Sequence, residues 1–267
     1  MKSLSIILLT FLTLYSSAGP VIKGLSSSEL ANGYFQIGFD AASAGQYDTA
    51  VKYFTQAIQI DSTRIYFFYH RGLALKALNK KSKAISDFKK CLSIRPLAEA
   101  NYELGLYKFN DGDMTGAKYY LESARAMRNN IDKLGYYLGV TYYHLGDFDS
   151  AEALLDGYIY TIKNHPDAYF YLALVKVKLN KSEEVTPMLQ LAGLYDEYSD
   201  WTLHYKMFEI YREMHDKENM FYHITMVIEL GETKPEYYNI RSQLYKERGE
   251  SLNARYDLLY ASAQITR

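Results

Sequence analysis

A chain of 267 residues exceeds the usual single-core domain, which leaves two domains or an extended repeat architecture. Its hydrophobic content of 48% excludes wholesale disorder, and a formal net charge of −1 with acids and bases interspersed excludes the basic surface that binds nucleic acid. The single cysteine, Cys91, excludes an internal disulfide and reads as a small core residue rather than a reactive thiol.

The first predicted element is an address. Lys2 supplies a positive start, Leu4 to Tyr15 form an apolar run, and Ser16 and Ala18 place small residues before Gly19. This pattern predicts a signal peptide over 1–18, and export to the periplasm or secretion. A buried N-terminal helix is the alternative. The run is shorter than the roughly twenty residues a bilayer span needs, so no membrane span is expected after cleavage. No cysteine follows it, which gives no support to a lipid anchor. Residues 19–30 form a lead-in, where Ser26 to Glu29 fits a capping box before the first helix.

From residue 31 onward the chain is self-similar, with a period of about 34 residues. Setting 33–58 beside 67–92 places Gly38 on Gly72, Ala50 on Ala84, Phe54 on Phe88 and Ala57 on Cys91. The next two units give Gly105, Ala117 and Leu121, then Gly139, Ala151 and Leu155. Later units drift to Ala173, Val185 and Leu189, to Phe208, Met220 and Ile224, and to Ser242, Ala254 and Leu258. Unit starts near 31, 65, 98, 132, 166, 201 and 235 follow, within an array over 31–264. Midway through each unit stands Gly45, Asn79, Gly112, Gly146, Asn180, His215 or Gly249. All but His215 are residue types that readily end a helix in the left-handed conformation. Each unit therefore reads as two helices joined by a tight turn, with a small residue on the first helix letting the second approach closely. Pro96, Pro166 and Pro235 fall at unit junctions. Pro187 falls near the start of the second helix of unit five, where proline is tolerated. Bulky Phe208 and Met220 put close helix approach in doubt around 185–225.

This register closely resembles the tetratricopeptide repeat, over nearly the whole chain after the signal peptide. The resemblance implies an all-α fold, a right-handed superhelical solenoid of about seven helix–turn–helix repeats whose first helices line a concave face. On those first helices the expected lining is an aromatic–aliphatic stripe: Phe35 and Phe39, Tyr69 and Leu73, Tyr102 and Leu106 with Phe109, Tyr136 and Val140 with Tyr143, Phe170 and Leu174, and Tyr205. Residues four apart share a helical face. Lys76 and Arg212 extend it. The functional reading is a groove for an extended or helical segment of another protein, since tyrosine combines contact area with a polar handle. The structural reading is that these side chains pack between successive first helices. A division by residue is expected, with tyrosine hydroxyls reaching solvent and Phe35 and Phe39 buried. The Lys, Asn and Arg cluster with which some relatives grip a C-terminal carboxylate has no counterpart here.

No catalytic constellation is present. The six histidines form no metal-binding spacing, no phosphate-binding glycine loop occurs, and no serine sits in a nucleophile elbow. His215-Asp216 reads as a solvated pair in a turn. The chain is therefore read as a non-enzymatic protein-binding scaffold of the cell envelope, with no cofactor and no metal. A glycan-binding or polysaccharide-export accessory is the alternative, using the tyrosine-rich surface. Leu252, Tyr256, Leu258, Leu259 and Tyr260 in the last unit offer a homodimer contact.

Overall fold

The computed structural model describes residues 26–127, 130–195 and 201–265. The expected signal peptide, 1–18, and most of the lead-in lie outside the described residues. Among the described residues the structure is all α-helix, without a strand. The chain divides into two compact units, Met1–Leu134 and Gly135–Arg267.

The first unit holds three hairpins: α1 (Ser27–Ser43) with α2 (Tyr47–Ile60), α3 (Ile65–Ala77) with α4 (Lys81–Ile94), and α5 (Ala98–Asn110) with α6 (Met114–Met127). The second holds four: α7 (Leu134–His144) with α8 (Phe148–Thr161), α9 (Pro166–Lys178) with α10 (Ser182–Tyr195), α11 (Trp201–Glu213) with α12 (Lys217–Glu229), and α13 (Pro235–Glu247) with α14 (Ser251–Ile265). Each unit is a helical repeat solenoid in its own right.

The starts and stops have local causes. Ser26 caps α1 in a reciprocal box: Glu29 N–H donates to Ser26 Oγ at 3.3 Å, and Ser26 N–H donates to Glu29 Oε2 at 2.8 Å. Pro166 and Pro235 open α9 and α13, where a missing N–H costs nothing. Asp147 and Asp216 cap α8 and α12. Every first helix ends the same way. Gly45, Asn79, Gly112, Gly146, Asn180, His215 and Gly249 all have φ between 55° and 81°. At each, the following N–H donates to the carbonyl five residues back, as from Gln46 to Ala41 at 2.9 Å and from Asp216 to Tyr211 at 2.9 Å. Even His215, chemically the odd member, adopts the left-handed turn.

Within the hairpins, small residues face large ones. Ala50, Phe54, Ala84, Phe88, Ala117, Leu121, Ala151 and Leu155 are fully buried. A Cβ added to Gly38 or Gly72 would stand 2.8 or 2.7 Å from the ring of Phe54 or Phe88. Gly105 and Gly139 meet Leu121 and Leu155 equally closely, at 2.7 and 2.8 Å. In the seventh hairpin Ser242 replaces the glycine and donates to the Ala254 carbonyl at 2.8 Å. The doubtful segment keeps its core: Val185, Leu189 and Ala192 pack with Tyr169, Phe170 and Ala173, and Phe208 packs with Ile224 and Val227. One expectation is corrected here. Because α10 starts at Ser182, Pro187 is its sixth residue and lies inside the helix rather than in its first turn. Pro187 is exposed, and so is Glu183, the residue whose carbonyl loses its helical N–H donor.

Two hairpins add a buried ion pair in the same register. Arg71 donates through Nε and Nη2 to both oxygens of Asp87 at 2.7 Å, and Arg241 does the same to Asp257 at 2.8 Å. Removing one partner of such a pair strands the other charge, at a cost of about 3–5 kcal/mol.

Two outcomes follow from this packing. Gly72→Ala forces a methyl into the Phe88 ring and is expected to cost about 1–3 kcal/mol, read as a lower urea midpoint at unchanged slope. His215→Gly removes a left-handed β-carbon penalty of about 1–2 kcal/mol, of which glycine's extra chain entropy returns about half. Thermal unfolding followed by circular dichroism should therefore rise by about 1–3 °C.

Candidate partner-binding face

In the first unit the three first helices lie side by side. Phe35 of α1 stacks on Phe67 of α3 with ring centroids 5.0 Å apart, and Lys76 of α3 donates to Glu103 of α5 at 2.5 Å. Phe35 is half-buried in this seam, touching Phe54 at 5.5 Å and the edge of His70 at 5.3 Å. Phe39, expected in the core, is instead 41% exposed. It lies one turn further along α1, where its ring meets His70 edge-on at 5.4 Å and Phe35 at 6.3 Å, so one side stays open. Tyr69 is half-buried against Phe88 at 5.9 Å. Burial, and then the carboxylates of Glu103 and Glu99, push its phenol well above the ordinary tyrosine range. Leu73, Tyr102, Leu106 and Phe109 are half-buried.

Tyr66 was not among the residues read from the sequence. It is 51% exposed on α3, three residues before Tyr69 and seven before Leu73, and so on the same face. That spacing was the available signal. Phe39 and Tyr66 are the large rings this face of the first unit presents to solvent, beside half-buried neighbours.

The second unit treats the same register differently. Val140 is fully buried, and Tyr136 and Phe170 are buried as well. Tyr136 lies against His165 at 4.5 Å, Tyr158 at 5.8 Å and Tyr171 at 6.3 Å. Burial, with Asp167 next, drives its phenol far upward. Lys206 of α11 sits 5.3 Å over the Phe170 ring of α9. Tyr143 is half-buried between Phe148 at 6.0 Å and Tyr171 at 5.8 Å. Tyr205 is half-buried against Tyr237 at 5.2 Å, and Leu174 is half-buried too. Here the stripe acts chiefly as mortar between first helices.

A separate concavity of about 480 Å³ opens in the second unit among α10, α11 and α12. His204, His223, Met207, Met226, Gln190 and Asn219 are among the residues lining it, and none was singled out as a site from the sequence. The Nδ1 atoms of His204 and His223 are 2.9 Å apart. Burial first, and His204 second, push the His223 imidazole down to about 4. Cys91 is buried, donates to the Ile65 carbonyl at 3.4 Å, and has its thiol pushed up to about 12 by burial. It is a structural thiol. Among the described residues no group of three or more His, Cys, Asp or Glu is placed to hold a metal, and no helix is long and apolar enough to cross a membrane.

Family models described as tetratricopeptide repeat match residues 31–64, 65–96 and 109–174. A STIP1 homolog of Dictyostelium discoideum is 36% identical over 76 residues, which are 26% of this chain and 14% of that protein. The similarity therefore spans only a small part of that relative. Among solved structures, the one from a functional characterisation of Pseudomonas aeruginosa pilF has a TM-score of 0.62 at 13% identity, covering 81% of this chain and 99% of that one. YrrB, described as a TPR protein with an unusual peptide-binding site, has a TM-score of 0.58 at 18% identity, covering 70% of this chain and 92% of its own. At these identities the structures share the fold. With one register running through the residues, the hairpin turns and the family models alike, the chain belongs to the tetratricopeptide repeat family.

Proposed function

We propose that this scaffold is non-enzymatic and holds an extended or helical segment of another protein on the first-helix face of its first unit, in the periplasm or cell envelope. The observation that carries the reading is the pair of open rings, Phe39 and Tyr66, set beside half-buried Phe35, Tyr69 and Leu73 on helices held rigidly side by side. Exposed aromatic rings on a fixed support supply contact area at low entropic cost, and aromatic residues concentrate at protein interfaces. The peptide-binding site named for YrrB is consistent with this use of the fold. The location rests on the apolar stretch within 1–18.

A photo-crosslinking residue placed at Phe39 or Tyr66 in living cells should give a discrete protein adduct that the same residue at exposed Lys89 does not. No adduct at either position, or an equal one at Lys89, overturns the reading. In Phe39→Ala with Tyr66→Ala the melting temperature should move little, because neither ring is buried. Tyr136→Ala should instead cost about 3–5 kcal/mol as a core truncation, so lost capture in that variant would report unfolding.

Self-association is the second contact the surface supports. Leu252 and Leu259 of α14 are 66% and 57% exposed, with Tyr256 between them. Sedimentation should show a concentration-dependent dimer that Leu252→Glu with Leu259→Glu converts to monomer. A wild-type chain that stays monomeric at high concentration removes this contact.

A further inference from the structure

We propose that the outward side of α4, in the first unit, docks on an anionic phospholipid surface. The chain is near neutral as a whole, yet its cations are not spread evenly. Residues 80–95 hold six of them, Lys80, Lys81, Lys83, Lys89, Lys90 and Arg95, against one acid, Asp87. That acid is buried and neutralised by Arg71, which donates to both its oxygens at 2.7 Å, so it offsets none of the surface charge.

Packing fixes which way the cations point. Ala84, Phe88 and Cys91 are fully buried in the cluster that α4 forms with α3 and α5. Exposed Ser82, Lys83, Ser86, Lys89, Lys90 and Ser93 occupy the opposite arc of the helix. Within that arc the serines lie centrally, with Lys89 on one flank and Lys83 and Lys90, two turns apart, on the other. Long lysine stems let both flanks reach one plane. Lys80 and Lys81 are engaged by Asp48 of α2 and by Asp111 at the end of α5. Lys83, Lys89, Lys90 and Arg95 are exposed and have no carboxylate partner among the described residues. The arc points away from α3, so docking there leaves the first-helix face of that hairpin open.

The chemistry of the arc favours a lipid surface over nucleic acid. Five of the six cations are lysine, a compact and strongly hydrated charge without the bidentate fork that suits arginine to nucleic acid. The side chains among them are serines, which give no ring on which bases could stack. Cations that reach one plane match a flat array of phosphodiester charges, and each strengthens partition onto such a surface about fivefold. None of the exposed large apolar side chains lies on α4, so the attachment is electrostatic and salt-sensitive. The choice of lipid also rests on the envelope location proposed above.

The purified full-length chain should co-sediment at low salt with vesicles of phosphatidylglycerol and phosphatidylcholine, and less with phosphatidylcholine alone. Salt at about 0.5 M should release it, because screening then acts within a few ångströms. Lys83→Glu with Lys90→Glu should weaken partition by about 25-fold or more, from the loss of two cations alone, with melting unchanged. Lys163→Glu with Lys246→Glu changes net charge equally at exposed sites of the second unit, and should leave partition within about threefold. Equal partition onto neutral and anionic vesicles overturns the proposal, as does equal loss in the two double variants. Tighter binding of duplex DNA than of anionic vesicles at matched salt would reassign the surface to nucleic acid. The vesicle readout requires neither partner capture at Phe39 and Tyr66 nor export, so either of those readings can fail separately.

Discussion

Each hairpin turns on one residue held at positive φ, and the rest of its geometry follows from that turn. The left-handed residue places two successive N–H groups against carbonyls of the last helical turn, which ends the first helix and aims the second back along it. Because the turn length never varies, the first-helix residue seven before the turn always meets the same stretch of the second helix. In the first four hairpins that residue is glycine, and the gap left by its missing side chain is filled by Phe54, Phe88, Leu121 or Leu155. Close approach then buries the small residues beside these side chains completely, and their apolar contacts contribute to the stability of the array.

A fixed frame lets side chains vary at one register without disturbing the fold. The position sixteen residues after the residue preceding the small one shows this clearly. It holds aspartate where an arginine faces it, as at Arg71–Asp87 and Arg241–Asp257, and histidine where the facing residue is Met207. Both ion pairs are bidentate and buried, so neither member can be changed alone at low cost. In the sixth hairpin His223 pairs instead with His204, their Nδ1 atoms 2.9 Å apart beside the concavity.

Much of the fold was legible in the chain because it depends on residue types with few conformational alternatives. Glycine and asparagine midway through six units announced the left-handed turns, and spacing alone carried the inference to His215. Pro187 was misplaced because the helix start at Ser182 is set by the turn before it, and proline by itself is tolerated both in a first turn and on an exposed helix face. The face of the first helices was harder to read. Its members share one register, yet Val140 is sealed while Phe39 is open, because exposure depends on the side chains that a neighbouring helix brings across. Phe67 covers Phe35, whereas His70 only borders Phe39 with its edge. No periodicity records that difference. The histidine pair was invisible for a related reason: nineteen residues separate His204 from His223, and only the hairpin's return brings their rings together.

The uneven burial of the stripe also separates two roles that a single register would otherwise merge. In the second unit Tyr136 meets the Tyr171 ring and Phe170 lies under Lys206, each on the next first helix, so truncating them loosens the stack itself. In the first unit Phe39 rests instead on Phe35 and His70 and stays 41% exposed, and Tyr66 is 51% exposed, so covering either ring buries apolar surface without displacing a core contact. Rigid support beneath an incompletely packed ring is the physical condition for binding without reorganisation, because the entropy of fixing the aromatic is already spent in folding. Within the first unit the support for an open ring comes from its own neighbours: Phe39 rests on Phe35, which Phe67 of the next first helix covers, so the packed ring fixes the base on which the exposed one stands.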